Sequence, residues 1–185
     1  MLTITPAAIE GVKIITPKSI RDSRGVLCES YNRDRFVEHG ITLEFVQDTQ
    51  SLSVKAGTVR GLHFQSSPAA QAKLVRVLHG DAFCVAVDLR RSSPTYGEWT
   101  AEELSATSGA QMLVPVGFAH GLCTLEPNTC IFYKSTACYS PAHDLGIAWD
   151  DPDLAIDWPV PFAKAILSER DTRLPQFNSL PSYFE

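Results

Sequence analysis

No apolar run in the sequence approaches the roughly 20 residues that a membrane-spanning helix needs. No Cys-x-x-Cys pair occurs either. The 5 cysteines (Cys28, Cys84, Cys123, Cys130 and Cys138) are odd in number and scattered. That pattern argues against zinc ligation and fits free thiols in a reducing compartment. The opening residues, MLTITPAAIEG, have neither the charged start nor the long apolar stretch of a signal peptide, so a cytoplasmic location is expected. Positive charge is in short supply, with 16 Lys and Arg against 21 Asp and Glu, a net charge of −5. Such a balance argues against nucleic acid or an anionic membrane as partner. Internal repeats, low-complexity tracts and linkers are absent, and helix-period patterning is scarce.

The 185 residues, 44% hydrophobic and 20% charged, suit one globular domain over residues 1–185 with a sizeable core. Short β-type runs separated by turn residues dominate. VKIIT (12–16) reads as a strand, PKSIRDSRG as a turn-rich link and VLCESY (26–31) as a strand carrying Glu29. Asn32 is placed as the N-cap of a short helix closed by Gly40. Residues 41–54 read as one or two strands holding Gln47, Asp48 and Gln50. Further on, 98–106, 111–126 and 128–140 each read as a strand, 141–159 as loop, 163–171 as a short strand or helical turn, and the tail as extended. Many short strands at turn-separated spacing indicate an all-β sandwich or jelly roll, with a topology that spacing does not supply.

Residues 57–90, GTVRGLHFQSSPAAQAKLVRVLHGDAFCVAVDLR, are the chemically dense stretch. Arg60, His63, Gln65 and Lys73 are costly to bury alone, so they must meet one another, water or a ligand. Alternation puts Lys73 on the face of Val75 and Val77, which suits either the mouth of a small barrel or a solvated edge strand. Arg21, Asp22 and Arg24 before Gly25 form either a solvated loop or an anion clamp.

Two segments resemble the paired motifs of the cupin jelly rolls. Gly109, Pro115, Gly117 and His120 match G-x5-P-x-G-x2-H, with Thr124 at the usual Asn position. Gly57 and His63 match the start of the first motif, but Gln65 replaces its second histidine and no glutamate follows. Glutamine is a poor ligand for metals that favour imidazole, so no metal is expected.

RGLHFQ, the run from Lys73 to Trp99, ELSA, PVGFAHG, the run from Tyr133 to Pro159 and LSERD occur in order. Together they resemble the dTDP-4-dehydrorhamnose 3,5-epimerase family from about Asp22 to Asp171. The resemblance implies a cupin-like double-stranded β-helix with a few short helices. It also implies a cofactor-free isomerase that inverts C3 and C5 of a dTDP-4-keto-6-deoxyhexose on the route to dTDP-L-rhamnose, and a homodimer with N-terminal strands crossing to the partner. Residue by residue, it implies His63 as base, Asp171 as its orienting carboxylate and Tyr133 as acid from the opposite ring face. Lys73, helped by His120, would stabilise charge on the C4 oxygen. Arg24 and Arg60 would bind phosphate and Tyr139 would stack on thymine. Glu29, Gln47, Asp48, Thr49, Gln65, Asp144 and Arg170 would be further substrate contacts.

Departures from the family pattern concern substrate identity more than reaction type. Leu27 replaces a phenylalanine near the base pocket, Thr49 an asparagine and Cys84 an aspartate; Asp144 and Arg170 stand for Glu and Lys. The alternatives are an epimerase that inverts C3 alone, a metal-dependent cupin and a non-catalytic sugar-nucleotide-binding jelly roll.

Overall fold

The computed structural model describes residues 2–185. Its strands are β1 (Leu2–Pro6), β2 (Lys13–Pro17), β3 (Ser19–Asp22), β4 (Gly25–Cys28), β5 (Gln47–Ser53), β6 (Val59–Gln65) and β7 (Lys73–His79). They continue with β8 (Asp81–Asp88), β9 (Trp99–Ser105), β10 (Gln111–Val114), β11 (Phe118–Thr124), β12 (Thr129–Ser135) and β13 (Asp144–Gly146). A six-stranded sheet, β1-β2-β10-β7-β12-β5, faces a five-stranded sheet, β13-β6-β11-β8-β9, and β3 and β4 form a separate hairpin. Every strand pairing is antiparallel. This is the expected cupin-like jelly roll. Among the described residues no helix is long and apolar enough to cross a membrane.

Period-two alternation assigns side chains to three apolar layers. Val75, Val77, Met112 and Ile131 of the six-stranded sheet meet Ala82, Cys84, Ala86 and Leu122 of the five-stranded one. Small residues at three inward positions of β8 leave volume between the sheets. The outer face of the five-stranded sheet (Val59, Leu62, Phe64, Val85, Val87) is covered by Trp149, Leu154, Ile156, Trp158 and Phe177 of the C-terminal segment. Helix α1 (Arg33–Glu38) and the segment after it cover part of the other sheet, with Phe36 and Ile41 against Ile15, Leu74 and Leu113. As expected, Asn32 caps this helix, its side chain accepting from the Asp34 and Arg35 N–H groups.

The C-terminal cover is irregular, so its polar groups need specific partners. Asp151, 2% exposed, accepts from the Leu154 N–H and, at 2.7 Å, from the Phe177 N–H. The Trp158 indole donates to the Trp149 carbonyl at 2.7 Å.

Several sequence expectations are corrected. Residues 111–126 form two strands in different sheets, because Pro115 lacks an N–H and Gly117 turns the chain at φ +92°. The link at 17–25 contains β3, the N-terminus contributes β1, and the loop at 141–159 contains β13. Residues 41–54 hold one strand. The segment at 163–171 is neither regular strand nor α-helix: Ile166 bridges Thr58, and 3-10 turns flank it at Phe162–Lys164 and Asp171–Arg173. The tail is not wholly extended, containing a third such turn at Phe177–Ser179. Lys73 lies on a central strand between β10 and β12, which removes the edge-strand reading.

One irregularity positions the site. His63 pairs with His120 and Arg60 with Leu122, so Gly61 and Leu62 together oppose Gly121 alone. This β-bulge reverses the alternation, and two residues three apart both face inward. Gly61 has φ +112°, and a Cβ there would lie 2.7 Å from the His120 carbonyl oxygen and 2.8 Å from the Gly121 Cα. We expect Gly61→Ala to destabilise the fold by at least about 2 kcal/mol, read from denaturant midpoints at unchanged m-value.

Candidate active site

A cavity of about 420 Å³ opens between the two sheets, lined among others by Arg60, His63, Lys73, His120, Tyr133 and Asp171. A recess of about 190 Å³ shares His63, Lys73, Tyr133 and Arg170 with it and adds Gln47, Gln65, Tyr139 and Asp144. His63 comes from β6 and Tyr133 from β12 of the facing sheet, so the two rings line one space from opposite walls.

His63 Nε2 lies 2.6 Å from Asp171 Oδ1. Burial works to raise the pKa of Asp171, but hydrogen bonding and charge from His63, together with Ser168 and the Gly61 N–H, hold it below the usual carboxylate value. The group is therefore an anion that accepts. Neutral His63 carries its proton on Nε2, which leaves Nδ1 as the basic nitrogen.

Lys73 stands beside Tyr133, its Nζ 5.8 Å from the ring centroid. Burial lowers its pKa to about 8, with Asp144 supporting the cation and Arg170 opposing it. His120 is pushed down to about 3, by burial first and then by the charges of Lys73 and His63. It is therefore neutral near pH 7, and its Nε2 is buried without a hydrogen-bond partner. At the mouth, Asp144 accepts from the Tyr139 hydroxyl at 3.1 Å and from Arg170 Nη1 at 2.6 Å. Arg60 donates to the Ser53 hydroxyl at 3.1 Å.

The remaining sequence candidates fall elsewhere. Asp48 is corrected: Gln47 and Thr49 face inward on β5, so alternation turns Asp48 outward, where it pairs with Lys134 at 2.8 Å. Arg24 sits at the tip of the β3–β4 hairpin, paired with Asp22. Glu29 pairs with Arg35 beside α1. Neither lines the cavity of its own chain, and neither does Leu27, which is 71% exposed on the same hairpin. Gln65 and Gln47 line the recess, but both ends of each amide are engaged by the protein. Gln65 bonds Ala69, Cys138 and Ser140; Gln47 bonds Thr49 and Tyr139. Thr49 itself is held by Gln47 and lies outside the lining of both spaces.

Sequence reasoning missed Ser51, Thr58, Leu122, Ile166 and Ser168, which line the cavity. Alternation along β5 from Gln47 and Thr49 would have found Ser51. Ile166 and Ser168 lie on irregular chain with no periodic signal. Metal ligation has little to draw on. His63 Nε2 is committed to Asp171 and Gln65 to the backbone. Among the described residues no group of three His, Cys, Asp or Glu could hold a metal ion.

Lys73 should titrate with a midpoint near pH 8 when its Cε resonance is followed by NMR. Asp144→Asn should move that midpoint lower, since it removes the carboxylate that supports the cation.

A family model described as dTDP-4-dehydrorhamnose 3,5-epimerase matches residues 6–179. A curated enzyme of that name from Sinorhizobium fredii is 48% identical over 178 residues, spanning 96% of this chain and 91% of its own. The crystal structure of the Bacillus anthracis enzyme, with TDP and PPi bound, superposes with a TM-score of 0.92 at 45% identity, covering 95% of this chain and 99% of that one. The Legionella pneumophila enzyme, in complex with dTDP-4-keto-L-rhamnose, gives 0.93 at 42% identity, covering 98% and 95%. On the match over most of its length, the ordered motifs and the fold, this chain belongs to the dTDP-4-dehydrorhamnose 3,5-epimerase family.

Proposed function

We propose that the protein converts dTDP-4-dehydro-6-deoxy-D-glucose to dTDP-4-dehydro-L-rhamnose by inverting C3 and C5 through side-chain proton transfer, without a cofactor. The observation that carries this reading is a base and an acid on opposite walls of one cavity. His63 has its basic nitrogen defined by Asp171, and Tyr133 faces it from the other sheet. The C4 ketone acidifies the hydrogens on C3 and C5. His63 Nδ1 takes one of these protons and the electron pair moves onto the C4 oxygen. The Lys73 ammonium and the unpartnered His120 Nε2 stabilise the enolate there. Tyr133 then delivers a proton to the opposite ring face. His63 and Tyr133 are left as imidazolium and phenolate, and exchange with solvent restores both before the second inversion. Arg60 and Arg170 supply guanidinium groups for the pyrophosphate, and Tyr139, 56% exposed at the mouth, offers a face for thymine.

Incubation with the 4-keto sugar nucleotide in heavy water should introduce deuterium at C3 and C5, read by NMR. His63→Ala should slow this by about 10²–10⁴-fold. Deuterium at C3 alone would make the protein a C3 epimerase. Nucleotide binding with no exchange at either carbon would reduce it to a binding module.

The working assembly is a homodimer. Ile20, Val26 and Leu27 on the β3–β4 hairpin are 60%, 55% and 71% exposed, an apolar surface that a second copy would cover. The same hairpin carries Arg24 and leads to Glu29, which would then serve the partner's cavity. Sedimentation equilibrium should give twice the 20.3 kDa chain mass, shifting toward the monomer in Leu27→Lys. A monomer in the unsubstituted protein would sink the assembly.

A further inference from the structure

Three consecutive residues of the loop between β12 and β13 give their backbone polar groups to two glutamine side chains. Gln65 Nε2 donates to the Cys138 carbonyl at 3.2 Å. Gln47 Oε1 accepts the Tyr139 N–H at 2.8 Å. Gln65 Oε1 accepts the Ser140 N–H, also at 2.8 Å. Both amide nitrogens are anchored outside that loop as well: Gln65 Nε2 also donates to the Ala69 carbonyl at 2.7 Å, and Gln47 Nε2 donates to the Thr49 hydroxyl at 3.0 Å. Gln47 stands on the six-stranded sheet and Gln65 on the five-stranded one, so the loop is fastened to both walls of the cavity.

The pattern is specific to amides. Gln65 is 3% exposed and faces two carbonyls and one N–H together. A carboxylate would oppose both carbonyls with acceptors. An apolar chain of equal length would leave three backbone groups without partners. The loop it holds has no regular secondary structure between Thr136 and His143, yet it carries the exposed Tyr139 ring.

We infer that Gln65 and Gln47 are positioning residues, a two-sided clamp that fixes the backbone at residues 138–140 and presents Tyr139 as a preformed shelf for the nucleotide base. This rests on the proposed stacking of the base on Tyr139. An unclamped loop would have to be ordered when the ligand arrives, and that cost would appear as lost affinity. The clamp acts on binding: its hydrogen bonds run to Ala69, Thr49 and the loop, and none runs to His63, Lys73 or Tyr133. Gln65 therefore holds the loop, although it stands where a metal-binding jelly roll has its second histidine.

The test measures dTDP affinity by calorimetry, turnover at saturating substrate, and amide hydrogen exchange at Tyr139 and Ser140. It compares the natural protein with Gln65→Met, Gln47→Met, Tyr139→Ala and the Gln65→Met/Tyr139→Ala double variant. The glutamine variants should bind dTDP about tenfold more weakly. Their turnover at saturation should stay within about threefold, and exchange at both amides should be faster. Gln65→Met should add little to the loss already present in Tyr139→Ala. Tyr139→Ala binding dTDP as tightly as the natural protein would overturn the stacking, and the shelf with it. If Tyr139→Ala binds weakly while both glutamine variants bind normally, the clamp alone is overturned. It is equally overturned if turnover at saturation collapses with affinity intact. Gln47→Met, at a less buried position than Gln65, decides the matter if Gln65→Met fails to fold.

Discussion

The 2.6 Å contact between His63 Nε2 and Asp171 Oδ1 joins residues 108 positions apart and makes the C-terminal segment part of the cavity. Asp171 is 4% exposed, and a carboxylate so buried is tolerable only when paired. Its pairing requires the segment after β13 to lie across the five-stranded sheet. Trp149, Trp158 and Phe177 supply the apolar burial for that, and Asp151 ties the segment's irregular backbone together. Thr58 and Ile166 bring the chain before Asp171 alongside β6. Closing the outer apolar layer and choosing the tautomer of His63 are therefore one structural event.

The bulge at Gly61 and Leu62 does for the five-stranded sheet what the tautomer does for the imidazole. A regular strand would turn Arg60 away from the cavity if His63 faced it. With one residue inserted, the guanidinium reaches the same side as the imidazole, and Val59, Leu62 and Phe64 still join the outer apolar layer. The bulge thus gives β6 both an apolar face and a polar one that alternation alone would not allow.

Much of the fold was legible because burial repeats along a strand. Ala82, Cys84 and Ala86 fell on one face, as did Lys73, Val75 and Val77, and the cap at Asn32 followed from side-chain chemistry. The ordered motifs then implied which polar residues belong to one site, and His63, Lys73, Tyr133, Asp171 and His120 do line one cavity. Where the reading failed, it had no period to follow. Pro115 and Gly117 split one apolar run between two sheets. Asp48 was grouped with its neighbours although alternation turns it away. Gln65 carried the residue type of a ligand contact, and the backbone groups that occupy it come from loops whose paths no pattern announces. Arg24 lies at the tip of the β3–β4 hairpin and Glu29 just after it, both apart from the cavity, and spacing along the chain gave no sign of that separation.

Burial disfavours charge at three inward groups, whereas Asp171 keeps its anion through its bond to His63. His120 is driven to about 3, Lys73 to about 8, and the Cys84 thiol up to about 12, with burial the leading cause in all three. A thiol at position 84 therefore stays neutral where the family pattern has a carboxylate, and it adds no anion to the layer that holds His120. In such a setting an enolate would be costly by itself. In the proposed chemistry it would become accessible through Lys73, whose cation Asp144 supports, and through His120, whose Nε2 nothing in the protein engages. Low polarity strengthens the attraction between that cation and a developing C4 oxyanion, while it weakens competing water. The burial that makes Lys73 expensive to ionise is the same burial that makes its charge effective.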